Sequence, residues 1–123
     1  MIDSAEGKLM DIAKLIKEIR QFSEERDWIQ FHDPKNLAAA VSVESAELLE
    51  IFMWLTPEQS RKLPEDKMQN ARDEIGDVLI CLLNLADQLG IDAVDAALKK
   101  MDKNRAKYPV EKAKGLARKY DEL

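Results

Sequence analysis

Two short acidic spacings set the chemistry open to this sequence: Glu44-Ser45-Ala46-Glu47 and Glu74-Ile75-Gly76-Asp77. On a helix, residues three apart share a face, with their Cβ atoms roughly 5–6 Å apart. Antiparallel packing of two such helices would bring Glu44, Glu47, Glu74 and Asp77 into one space. Like charges at that range repel and desolvation adds to the cost, so a cation must hold them. An all-oxygen carboxylate shell suits a hard divalent ion, Mg²⁺ or Mn²⁺, rather than zinc.

One acidic pair at this spacing is common on a solvated helix face, so the flanking residues decide. Glu44 and Glu47 follow Leu37-Ala38-Ala39-Ala40-Val41-Ser42-Val43, apolar almost all round. Glu74 and Asp77 lead into Val78-Leu79-Ile80-Cys81-Leu82-Leu83. Both helices therefore read as largely buried. Acidic residues inside buried helices point to a metal or catalytic site. Glu44, Glu47, Glu74 and Asp77 are the expected metal ligands and catalytic residues.

The elements that must carry these residues can be read from caps and periodicity. A first helix is expected from about Ser4 to Glu25, with Leu9, Ile12, Leu15, Ile16, Ile19 and Phe22 at steps of three and four. Asp33-Pro34 is a helix start, an N-cap acceptor followed by proline at the first helical position. That second helix extends to about Trp54. Thr56-Pro57-Glu58-Gln59 has capping-box spacing and predicts a short helix over Pro57 to Lys62. Pro64 opens a long third helix ending at Gly90, a C′ glycine. A fourth begins near Asp92, is apolar at Ile91, Val94, Ala97, Leu98 and Met101, and stops before Pro109.

The fold expected is all-α, a four-helix bundle-type protomer over residues 1–109 with a polar tail over 110–123. The tail is too polar for a core helix and is expected to order against a neighbouring subunit. The apolar faces around Leu37–Val43 and Val78–Leu85 exceed what a lone small bundle buries, which predicts a homo-oligomer.

Composition narrows the classes. With 123 residues there is room for one modest core. Only 4 Gly and 4 Pro leave too few turn-formers for a many-stranded sandwich. A formal charge of −5 argues against a nucleic-acid polymer as partner, though one nucleotide can be held through a metal and local cations. The single Cys81 excludes an intrachain disulfide and suits a reducing cytoplasm. No secretory leader pattern or membrane-length apolar stretch is evident, so a cytoplasmic location with no membrane partner is expected.

The order Glu-x-x-Glu, spacer, Glu-x-x-Asp is accompanied by three further segments. They are Glu25-Arg26-Asp27-Trp28-Ile29-Gln30-Phe31-His32-Asp33-Pro34-Lys35-Asn36-Leu37, then Phe52-Met53-Trp54, and Lys103-Asn104-Arg105-Ala106-Lys107-Tyr108-Pro109. Together they resemble the MazG-like all-α nucleoside triphosphate pyrophosphohydrolases, in the branch that includes dCTP pyrophosphatases. The likeness runs from about Ser23 to the end. It implies Mg²⁺-dependent cleavage of a deoxynucleoside triphosphate to monophosphate and pyrophosphate, in a dimer or tetramer whose sites draw on more than one chain. The carboxylates would hold the metal and, through it, the phosphates.

The remaining site residues are carried by that resemblance. Lys103, Asn104, Lys107 and Tyr108 offer two ammonium groups, an amide and a phenol as a phosphate clamp. By themselves the lysines equally suit the negative end of a helix dipole. Trp28 and Trp54 would form the base pocket, although large aromatics at helix ends also seal bundles. His32, the only histidine, is either a substrate contact or a packing residue at a helix start, and Asn36 can read a base edge or sugar hydroxyl. Cys81 departs from the pattern, standing where some of these enzymes have a larger hydroxylated aromatic, which changes the pocket volume.

Two rival readings remain at this point. A redox di-metal bundle needs Glu-x-x-His pairs, and His32 lies outside both acidic spacings. A non-catalytic helical interaction module accounts for the apolar faces but leaves the internal carboxylates unexplained.

Overall fold

The computed structural model describes residues 5–123, and among these every regular element is helical. The long helices are α1 (Ala5–Glu25), α2 (Pro34–Phe52), α4 (Glu65–Gln88) and α5 (Ala93–Lys107), with short α3 (Pro57–Ser60) and α6 (Val110–Ala113). The start expected near Ser4 lies outside the described residues, as does the side chain of Leu9.

Local chemistry accounts for the boundaries. Asp33 accepts from the backbone N–H of Asn36 at 2.8 Å, with Pro34 at the first helical position of α2. Thr56 and Gln59 form a reciprocal capping box, at 3.2 Å and 2.9 Å. It holds only one turn, so α3 stops at Ser60 rather than Lys62. After α4, Gly90 takes φ of 68°, as a C′ glycine does. Asp92 caps α5 by accepting from Asp95 N at 3.0 Å.

The end of α1 carries no glycine signal. Asp27 takes the left-handed conformation at φ 54°, Asp27 N–H donates to Glu24 O, and Trp28 N–H donates to Ser23 O at 2.9 Å. This is a Schellman termination with a short polar residue in the glycine's place. It reverses the chain and sets Trp28 at the start of the 3₁₀ turn Ile29–Phe31.

The chain divides into two compact units, one up to Gly90 and one from Ile91 to Leu123. In the first, α2 packs along α4 and α1 also contacts α4. His32 near Asn84, and Glu44 near Glu74 and Asp77, make the α2–α4 packing antiparallel. Arg20 of α1 grips Asp87 of α4 through Nε at 2.7 Å and a second guanidinium nitrogen, which holds the Asp87 carboxyl below its usual range. The core is Ile19, Leu37, Ala71, Leu83 and Ala86, with Ser23 and Asn84 as buried polar residues.

The expectation that α2 and α4 are largely buried fails for the single chain. Leu37 alone is buried on α2, and Val43 is 55% exposed. A helix with apolar residues all round buries only the face it turns to a partner, and one neighbouring helix covers one face. On α4, Ile75, Leu79 and Leu82 form an exposed stripe opposite the face carrying Asp77.

In the second unit the polar tail packs on its own chain. Tyr120 returns to Tyr108, edge to face with centroids 6.3 Å apart, and Lys107 Nζ stands 4.8 Å above the Tyr120 ring.

Candidate active site

One carboxylate oxygen from each of Glu44, Glu74 and Asp77 lies within 4.8 Å of the others. Glu44 Oε2 and Glu74 Oε2 are buried without a hydrogen-bond partner among the described residues. Buried anionic oxygens with no donor are costly, and a cation placed among them removes that cost. The donor set is entirely carboxylate, which fits a hard divalent ion. Glu47 is not in this closest group. It borders it, lining a polar cleft of about 420 Å³ with Glu50, Asn70, Asp73 and Glu74.

The electrostatics carry the same signature. Burial pushes the Glu44 and Glu74 carboxyls above their ordinary range, reinforced at both by the charge of Asp77, at Glu44 by Glu74 and at Glu74 by Glu47. Glu47 is raised first by its contact with Glu44 and next by that group's charge. A cation would reverse this balance by favouring the ionised forms.

Beside the carboxylates lies a largely apolar cavity of about 470 Å³. Leu15, Ile19, Phe22, Trp28, Leu37, Ala40 and Ile80 supply its apolar wall, while His32, Asn36, Asp77, Cys81 and Asn84 bring polar groups. Asp77 belongs to both the carboxylate group and the cavity wall. A ligand in the cavity would therefore have one end beside a bound metal. Trp28 packs edge-on with Phe22 at 5.6 Å and His32 at 6.5 Å, yet remains 45% exposed, leaving part of its surface open. Burial, with Glu44 and Asp77 nearby, pushes the Cys81 thiol upward, which keeps it protonated.

The other expected residues are distributed unevenly. Asn36 lines the cavity, but its Nδ2 donates to Phe31 O at 3.0 Å and Asp33 Oδ2 at 2.9 Å, leaving Oδ1 for any ligand. Trp54, just beyond α2, is 87% exposed and does not line the cavity. Phe31 is exposed as well. Lys103, Asn104 and Lys107 lie on α5, and Tyr108 follows as its C-cap, with its N–H donating to Asn104 O at 2.8 Å. They belong to the second unit. Sequence reasoning missed Asn84 and Ser23, both buried and both on the cavity wall. The available signal for Asn84 was a lone amide inside an apolar run, seven residues after Asp77.

Comparison with known proteins bears on this arrangement. Residues 39–123 match the family model of the MazG-like family. Human dCTP pyrophosphatase 1 is 42% identical over 122 residues, covering 98% of this chain and 70% of that protein. The bovine dCTP pyrophosphatase 1 is 41% identical over the same shares. A pyrophosphatase structure from Archaeoglobus fulgidus superposes with a TM-score of 0.71 at 39% identity, covering 89% of this chain and 96% of that one. Acidic spacings, helical fold and sequence kinship converge: this chain belongs to the MazG-like family.

Proposed function

We propose that this chain hydrolyses a deoxynucleoside triphosphate, dCTP or a related dNTP, to the nucleoside monophosphate and pyrophosphate. Family membership makes it a nucleoside triphosphate pyrophosphohydrolase; the base preference is inferred from relatives named for dCTP. The observation that carries the reading is the place of Asp77, shared by a carboxylate group that lacks counter-charge among the described residues and a cavity walled by a half-exposed tryptophan.

Glu44, Glu47, Glu74 and Asp77 hold Mg²⁺ in this reading, and Mn²⁺ suits the same oxygen shell. A bound divalent ion supplies charge neutralisation at the phosphates and a lowered pKa for the water it holds. The cavity receives the base: Trp28 offers a stacking face, and His32 and Asn36 contact base or sugar. Lys103, Asn104, Lys107 and Tyr108 meet the phosphate charge, and Trp54 completes the base pocket from a second copy of the chain. A homo-oligomer, dimer or tetramer, is supported by the exposed apolar stripe on α4. A reducing, cytoplasmic setting suits the single Cys81, and among the described residues no helix is long and apolar enough to cross a membrane. Residues 1–109 carry the catalytic fold in this reading and 110–123 a polar tail.

The test is incubation of the protein with each dNTP, with Mg²⁺ or with excess chelator. Monophosphate and pyrophosphate should form with the metal and not with chelator. Absence of turnover on every dNTP in Mg²⁺ would overturn the reading.

A further inference from the structure

Asn84 is a buried amide in an otherwise apolar stretch of α4. It interrupts the apolar run from Val78 to Leu85, is 8% exposed, and lines the cavity beside Trp28, His32 and Cys81. Its Nδ2 lies 3.3 Å from His32 Nδ1. With Nδ2 as donor, His32 accepts at Nδ1 and carries its proton on Nε2. The carbonyl Oδ1 takes no hydrogen bond among the described residues, and it is not among the buried oxygens sealed from contact. It is thus an acceptor available at the wall of a largely apolar cavity, and such a group calls for a donor from the occupant.

Its position along α4 says which part of an occupant it meets. Asp77, Cys81 and Asn84 follow at i, i+4 and i+7, so they share one face, and all line the cavity. Seven residues of helix rise about 10 Å. That is comparable with the reach of one nucleotide from its α-phosphate to the far edge of its base. A nucleotide with its phosphates at the Asp77 end places its base edge at Asn84.

We propose that Asn84 selects the base, its Oδ1 accepting a hydrogen bond from the 4-amino group of a cytosine-type base. His32 makes the selection directional. A free carboxamide could turn its amino end toward a 4-oxo base, whereas one whose Nδ2 is held by His32 keeps Oδ1 turned away from that ring, toward the cavity. A 4-oxo pyrimidine then meets Oδ1 acceptor to acceptor and is disfavoured. The inference rests on the deoxynucleoside triphosphate reading above and adds the group that discriminates within that class.

Two measurements test it. The first is kcat/KM for dCTP and dUTP on the wild-type chain and on Asn84→Leu, which keeps the bulk but removes the acceptor. The dCTP to dUTP preference should fall at least about tenfold, the scale set by one buried acceptor and its partner. The second uses wild-type protein alone and compares dCTP with the 2-pyrimidinone deoxynucleoside triphosphate, which lacks the 4-amino group. The analogue should be poorer by about tenfold or more in kcat/KM. An unchanged preference in a folded Asn84→Leu, or an equal loss on both substrates, would assign Asn84 to packing and sink the proposal. If the variant does not fold, the analogue decides: equal turnover of analogue and dCTP sinks it. Failure of the wild-type chain to turn over any dNTP would defeat the activity itself, whereas turnover without a 4-amino preference defeats only the role of Asn84.

Discussion

Glu44 on α2 and Glu74 on α4 each bring a carboxylate oxygen within 4.8 Å of the other, and Oε2 of each is buried without a hydrogen-bond donor among the described residues. Two anionic oxygens so placed are tolerated only with protons or a cation between them. The site is therefore a place where the fold is held in tension with its own charges, and several consequences can be measured.

Removing one charged ligand should abolish catalysis while sparing the fold. Glu47→Gln and Asp77→Asn are each expected to lower hydrolysis by at least ~100-fold at saturating Mg²⁺, through several kcal/mol of lost charge stabilisation. Relief of like-charge repulsion should leave the metal-free melting temperature unchanged or higher. Steady-state kinetics and circular-dichroism melts check both halves. Near-wild-type turnover would remove these residues from the site.

Stability should depend on pH in a way that the metal cancels. Glu44, Glu47 and Glu74 titrate above the ordinary glutamate value of about 4.3 in the folded chain. The native state therefore binds these protons more tightly than the unfolded state. The associated stability is full below the ordinary value and is lost as pH rises through the raised ones. Asp87, lowered by Arg20, acts in the opposite sense but only below its ordinary value, about 3.9. Between pH 5 and pH 8 (roughly the window above Asp87) the metal-free Tm should thus fall with rising pH. Mg²⁺ should raise Tm most at the alkaline end, because its binding displaces the protons. A flat metal-free profile across that range would contradict the charge arrangement.

The bond broken should lie between the α and β phosphates. Products are expected to be a monophosphate and pyrophosphate, resolved by anion-exchange chromatography. A diphosphate with orthophosphate would place the triphosphate in a different register against the carboxylates.

The two tryptophans should separate by experiment. Trp28→Ala should raise KM for dCTP by roughly 5- to 150-fold, as expected for losing about 1–3 kcal/mol of base stacking. The effect on kcat should be smaller, since stacking is similar in ground and transition states. Trp54 stands outside the cavity of its own chain, so its contribution requires a second copy. Mixing Trp54→Ala with Asp77→Asn chains should then give faster turnover at low dCTP than either variant alone. No gain on mixing would leave Trp54 outside the pocket.

The exposed stripe on α4 predicts assembly. Leu79→Glu sets a charge among Ile75, Leu79 and Leu82 and should shift the protein toward monomer in sedimentation velocity. An unchanged sedimentation coefficient would place the interface elsewhere.

Much of this protein is determined by neighbours in sequence. Asp33, Thr56 and Asp92 start helices because a side-chain oxygen three residues ahead of a free N–H is sufficient, and no distant contact is required. The acidic spacings are equally local, since three residues of helix put two carboxylates on one face. The turn at Asp27 was hidden because an aspartate there is common in many backbones, and only the surrounding packing selects its left-handed form. Burial was decided by tertiary structure: an apolar helix shows how much surface must be covered, but α2 turns chiefly to α4, and Val43 and the Ile75 stripe stay outside. The pairing of Asn84 with His32 joins residues 52 apart. No periodicity encodes it, because it arises only when antiparallel packing sets the start of α2 against the late turns of α4, giving the buried amide a partner on one side and the cavity on the other.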